Sequence, residues 1–143
     1  MENILVSACL VGKNVKYNGS NNLNTNVLKL KEKYNFILIC PEVEGGLSTP
    51  RTPAEVLNSK VINKDGKDVT KEYNLGARIA LEKAIKYNCR IAILKEKSPS
   101  CGTSRYDGTF SHTLIDEPGI CASLLIKNGI KVYGESELEN LLK

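Results

Sequence analysis

Three cysteines stand where a chain could use sulfur as a ligand: Cys9 in "VSACLVG", Cys40 in "ILICPE" and Cys101 in "LKEKSPSCG". Cysteine thiolates are soft donors that select zinc, copper(I) or iron–sulfur clusters. Four of them close a structural site, whereas three leave one coordination position for a substrate. No C-x-x-C pair is present, so a second reading stays open, in which these are strand-end core cysteines, a common fate of free thiols. Cys101, on a polar Ser-Pro-Ser turn, is expected to be exposed to solvent. Their neighbours supply the rest of a reactive centre. Glu42 follows Cys40 by two residues and Ser98 precedes Cys101 by three. A carboxylate beside a metal can move protons, and a hydroxyl can orient water or a developing oxyanion. Taken singly, Glu42 also reads as a loop or cap carboxylate and Ser98 as a turn residue before Pro99. Candidate substrate contacts are Gly45 and Gly46, where backbone can approach a ligand closely, together with Arg51 and Ser100. Arg51 could instead pair with Glu55 four residues on. His112, the single histidine, reads as an exposed loop residue.

These residues need a scaffold that brings distant positions together. The apolar runs at residues 3–8, "FILI", "IAIL" and "IKVYG" read as strands. They alternate with helical patterns at about residues 24–33, 71–88 and 119–127 and a last helix after Ser136, whose spacing to Glu139 suggests a capping box. In the longest helix Ala77, Leu81, Ala84 and Ile85 share one face, with Thr70 as its cap. Residues 41–55 read as an irregular loop, and "VINKDGKDVT" as a small hairpin turning at Asp65-Gly66. Strands alternating with helices predict a single-domain, three-layer, doubly wound α/β fold with a mostly parallel sheet and a small hairpin insertion. In such a sheet the carboxyl ends of the strands share one edge, where ligands bind at a topological switch point. Cys9, Cys40 and Cys101 all follow strands and can meet there. Cys89, at an amino end, and Cys121, inside a helix, fall outside that set.

Composition sets the outer limits. The 143 residues are 41% hydrophobic and 25% charged, ordinary for one globular domain. A net charge of +4 suits an anionic small molecule and falls short of a dedicated nucleic-acid binder. No stretch approaches the ~20 apolar residues of a membrane helix. Five cysteines, an odd number, and no recognisable leader argue against a disulfide framework and for the cytoplasm.

The blocks "VSACLVG", "KYNG", "CPEVEGGLSTPRTPAE", "GKDVT", "LKEKSPSCG" and "YDGTF", in this order along nearly the whole chain, resemble the thiouracil desulfidase family of bacteria and archaea. The resemblance implies a [4Fe–4S] cluster held by Cys9, Cys40 and Cys101, its fourth iron open to substrate sulfur. It also implies Glu42 and Ser98 as catalytic residues. One departure stands out: Lys16 and Asn18 occupy the Arg and Asp places of the family's usual RYDG block. That removes a pocket-edge charge and bears on substrate preference.

The implied reaction is non-redox desulfuration of a thiolated pyrimidine, with release of hydrogen sulfide. The candidates are 2- or 4-thiouracil, thiouridine, its nucleotide, or thiolated tRNA. Two rivals remain at this stage. One is a zinc hydrolase or deaminase using the same three thiols, against which the absent H-x-E…P-C-x-x-C signature speaks. The other is a non-enzymatic cluster-bearing sulfur carrier or thiolated-RNA binder.

Overall fold

The computed structural model describes residues 1–142. The chain runs through β1 (Glu2–Ser7), α1 (Thr25–Lys29), β2 (Tyr34–Ile39), α2 (Pro41–Glu44), β3 (Ala54–Leu57), β4 (Lys60–Asn63) and α3 (Thr70–Lys86). It continues through β5 (Ile91–Leu94), β6 (Arg105–Tyr106), β7 (Leu114–Ile115), α4 (Ile120–Lys127), β8 (Lys131–Gly134) and α5 (Glu139–Leu142). The four predicted apolar runs pair in parallel in the order β2–β1–β5–β8.

Alternation along β1 explains the layers, because successive side chains of a strand leave opposite faces. Ile4 and Val6 pack with Leu10, Val27, Leu30 and Leu138 on one side. Leu5 packs with Ile39, Ala77, Ala80, Ala84, Cys121, Ala122 and Leu125 on the other. Helices α3 and α4 therefore cover one face, and α1 with the segment around Leu138 covers the opposite one. Burial of each large aliphatic side chain contributes about 1.5–3 kcal/mol. The expected three-layer α/β architecture is the one observed.

From β1 the chain moves outward to β2 and then returns to β5 on the far side of β1. The carboxyl ends of β1 and β5 thus border a switch point, where a crevice opens between loops that diverge.

Several local expectations change. The segment read as an irregular loop holds α2 and the start of β3. The hairpin pairs β3 with β4 across Asn58-Ser59, both left-handed at φ 51° and 63°, as a two-residue turn of this kind demands. Asp65-Gly66 is a further reversal, closed by the Gly66 amide on the Asn63 carbonyl at 2.9 Å, with a single bridge, Ile62–Asp68, beyond it. Helix α3 buries Tyr73, Gly76, Ala77, Ala80 and Ala84 and packs Leu81 against them, so of the expected face only Ile85, 69% exposed, falls outside. Thr70 does not cap α3; its hydroxyl accepts the Val61 amide at 2.8 Å. Ser136 turns to Glu96 in place of a capping box. Among the described residues no helix is long and apolar enough to cross a membrane.

Candidate active site at the carboxyl edge of the sheet

A cavity of about 560 Å³ opens at the switch point, and Cys9, Cys40 and Cys101 all line it. Cys9 sits in a 3-10 turn, Ala8–Val11, that follows β1. The Asn22 side chain hydrogen-bonds its thiol, and the Asn22 amide donates to its carbonyl at 2.9 Å. Cys40 precedes α2, and its amide donates to Glu44 Oε1 at 2.9 Å. Cys101 ends the turn after β5, where Ser98 Oγ accepts the amides of Ser100 and Cys101 at 3.1 and 3.0 Å. The Ser7 hydroxyl accepts the Lys95 amide at 3.0 Å and hydrogen-bonds the Cys101 thiol, which ties the end of β1 to the third cysteine.

Cys101 corrects an expectation: it is 6% exposed, not a surface thiol. The turn folds inward because the first amides of α4 hold it from behind. Ile120 donates to the Pro99 carbonyl, and Cys121 and Ala122 to that of Ser100, at 2.9–3.0 Å.

Burial raises the thiol pKa of all three cysteines, most strongly for Cys101, and the Glu42 carboxylate pushes each further in the same direction. In strand order Cys9, after β1, stands between Cys40, after β2, and Cys101, beyond β5. Buried thiols of this kind part with their protons when a soft metal replaces them. Among the described residues no three His, Cys, Asp or Glu side chains converge on a single ion. A tetrahedral zinc, with Zn–S near 2.3 Å, would need its sulfurs roughly 3.8 Å apart. The three thiols line one cavity, and three soft donors of this kind are a set that either a zinc ion or an iron–sulfur cluster with one open position could use. Cys89 and Cys121 do not line the cavity, as expected, although Cys121 lies close enough to Cys101 to raise its pKa.

Three side chains position Glu42 in the cavity. Arg51 Nε meets its Oε2 at 2.8 Å, the Ser98 hydroxyl donates to its Oε1 at 3.5 Å, and Tyr73 hydrogen-bonds it from α3. Burial, then the nearby Glu42 charge, raises the Tyr73 pKa and keeps the phenol a donor. The remaining Arg51 donors reach the Ser48 and Val15 carbonyls and Thr49 Oγ1. Arg51 thus lines the cavity with its guanidinium held on Glu42, and it is not Glu55's partner.

Three other expected contacts also move. Gly45 and Gly46 do not line the cavity. A Cβ on Gly45 would stand 2.0 Å from the Glu72 carbonyl oxygen, so this glycine serves the approach of α2 to α3. Gly46 takes the left-handed place after α2 and faces open space. Ser100 is fully buried behind the turn, its hydroxyl unpaired.

Sequence reasoning did not single out Tyr73, Lys95, Asn22, Tyr106 or Phe110, all of which line the cavity, and His112, exposed as expected, lines it too. The "YDGTF" block was the available signal for the aromatic set. Tyr73 had only its place on the buried face of α3.

A parallel sheet with three thiols and the Glu42 carboxylate in a crevice at its switch point defines a candidate sulfur or metal enzyme, and comparison gives that class a family. The profile of the 2-thiouracil desulfurase family matches residues 4–137, and the chain belongs to that family. The chain is 41% identical to YbbK of Bacillus subtilis (strain 168), with 97% of this chain and 99% of YbbK covered. Among solved structures it is similar to the [4Fe-4S]-dependent thiouracil desulfidase TudS, at 39% identity and a TM-score of 0.90. That match covers 99% of this chain and 95% of TudS.

Proposed function

We propose that this chain is a [4Fe–4S]-dependent desulfidase that exchanges the C=S of a thiolated pyrimidine for C=O. Cys9, Cys40 and Cys101 are the cluster ligands, and Glu42 and Ser98 the catalytic pair. The observation that carries the reading is the meeting of these five residues in one cavity at the switch point. Three soft donors without a fourth cysteine in the lining suit a cluster with one substrate-accessible iron. When bound, the cluster supplies a Lewis acid matched to a soft thiocarbonyl sulfur.

The chain's own residues handle water and protons. Arg51 fixes Oε2 of Glu42, so Oε1, beside the Ser98 hydroxyl, is the oxygen that takes a proton from the attacking water. Ser98 draws its own orientation from the two amides it accepts, and so holds its hydroxyl toward Glu42 before substrate arrives. Water supplies the oxygen of the new carbonyl, hydrogen sulfide carries away the sulfur, and no electrons are gained or lost overall.

The substrate class is 2- or 4-thiouracil, thiouridine or its nucleotide, with thiolated tRNA as the largest form. Lys16, Lys64 and Lys97 in the cavity lining favour a phosphate-bearing member of that series. Free thiols throughout the described chain suit a reducing compartment, the cytoplasm.

An oxygen-free sulfide-release assay across thiolated base, nucleoside, nucleotide and tRNA tests the proposal. Protein carrying about four irons per chain is expected to release sulfide from at least one of them. Zinc without acid-labile sulfide would return the hydrolase reading. A cluster without turnover, together with salt-sensitive RNA affinity, would return the carrier.

A further inference from the structure

The two short antiparallel ribbons, β3–β4 and β6–β7, lie outside the parallel sheet, yet they supply cavity lining of their own: Pro53, Ala54, Glu55, Tyr106, Phe110 and His112. Tyr106 and His112 pack edge to face, with ring centres 5.0 Å apart and planes at 89°. Phe110 and His112 both hold left-handed backbone, at φ 61° and 60°. Non-glycine residues pay for that conformation, and two within three positions require a structure that over-determines them.

Glu55 is that structure. Its carboxylate belongs to β3, is only 7% exposed, and accepts the amides of Gly108 and Phe110 on one oxygen, at 3.2 and 3.1 Å. Arg105 adds a second clasp, donating to the Val56 carbonyl at 2.8 Å and to the Tyr106 carbonyl at 3.0 Å. Between the clasps the chain passes so close to β3 that a Cβ on Gly108 would stand 2.5 Å from the Val56 carbonyl oxygen. A nearly buried carboxylate that spends itself on two loop amides fixes loop position, since leaving it unpaired would cost far more than an ordinary surface contact.

We propose that Phe110 and the Tyr106–His112 pair form the face that reads the substrate's ring, and that Glu55 is the positioning residue that sets this face against the cysteine-bearing edge. The inference rests on the desulfidase reading above and names the part of the site that selects the ring. Aromatic faces bind planar heterocycles in offset or edge-on arrangements, sensitive to ring substituents and to displacements of an ångström. Glu55 and the Gly108–Phe110 stretch belong to separate sequence blocks, and their union explains why both belong to one site.

The test uses cluster-loaded protein with 2-thiouracil and 4-thiouracil, and calorimetric titration with uracil as a readout independent of turnover. Glu55→Ala is expected to raise KM about tenfold with kcat within about threefold, while Glu55→Gln, which keeps the acceptor oxygen, stays near the parent. Phe110→Ala, which leaves Glu55 in place, is expected to weaken uracil binding by a similar factor and to change the ratio of kcat/KM between the two thiouracils. Hydrogen exchange at the Gly108 and Phe110 amides should accelerate in Glu55→Ala and not in Glu55→Gln. Should Glu55→Ala fail to fold, Phe110→Ala carries the test alone. Unchanged KM, unchanged uracil affinity and an unchanged thiouracil ratio in Phe110→Ala overturn the proposal. A parent protein that releases no sulfide from any thiolated pyrimidine instead overturns the desulfidase reading, and uracil titration and exchange still report on the wall.

Discussion

The carboxyl edge of the parallel sheet and the wall built by the two small ribbons face the same cavity, but different bonds fix them. At the edge, each cysteine follows a strand held by main-chain ladders to its neighbours, β1 between β2 and β5. For Cys9 and Cys40 position follows from register, where a slip of one residue would turn the strand inside out; for Cys101 it follows from the turn that Ser98 and the first amides of α4 hold. At the wall, position depends on a few side chains reaching backbone: Glu55 to the amides of Gly108 and Phe110, and Arg105 to Val56 and Tyr106. Main-chain bonds dominate at the edge, and single side-chain contacts dominate at the wall. A change at the edge should be all-or-none, whereas a change at the wall should be graded.

The sharpest way to break this contrast is at the sulfurs. Replacing Cys9, Cys40 or Cys101 by Ala is expected to remove both bound iron and sulfide release, while Cys89→Ala retains both; iron analysis beside the assay decides. An iron-replete Ala variant at any of the three would remove that residue from the ligand set.

Next in size is Glu42→Gln. Loss of the proton acceptor should lower turnover by about 10²–10⁴-fold with iron content intact. Loss of iron would instead make this carboxylate part of the edge's architecture.

A smaller effect is expected at Gly76 in α3, where an added Cβ would lie 1.8 Å from the Pro41 carbonyl oxygen. Ala in place of Gly gains about 1 kcal/mol of helix propensity. Overpacking against backbone costs about 1–3 kcal/mol, so the net change should be destabilising. Thermal melts are expected to show Gly76→Ala less stable, with looser iron retention because α2 carries Cys40 at its start.

The mildest change concerns Cys121. Burial raises its thiol pKa from 9.0 to about 12. The unfolded chain releases this proton near 9 and the folded chain does not, so the folded state binds more protons above that pH. The stability this confers is complete below pH 9 and is lost as pH rises from about 9 to about 12, on the order of 4 kcal/mol in all. Cys121→Ala should flatten that alkaline decline in melts of the apo protein and leave sulfide release at neutral pH unchanged.

Much of the edge was legible in the sequence because it depends on short-range pattern. Unbroken apolar runs mark strands buried on both faces, and the residue after each run falls at the ligand edge of a parallel sheet. Cys9 and Cys40, just past their strands, and Cys101, on the turn after β5, could therefore be grouped from strand ends together with their polar neighbours. The wall was not legible, because its defining bonds join Glu55 to residues some fifty positions away. Arg51 misled for a related reason. Its pairing with Glu55 presumes helical spacing, but the chain at Arg51 is not helical, and its side chain turns back to Glu42. Burial of Cys101 was equally hidden: the polar turn reads as surface until α4 is known to pack behind it.

The hold of α4 on the Ser98–Cys101 turn has a consequence for timing. The last of the three sulfurs is seated by amides at Ile120, Cys121 and Ala122, so the ribosome must pass these codons and release them from its tunnel before the full set of donors exists. Any guest that needs all three must therefore arrive after synthesis of most of the chain, delivered to an almost finished fold rather than built into a growing one.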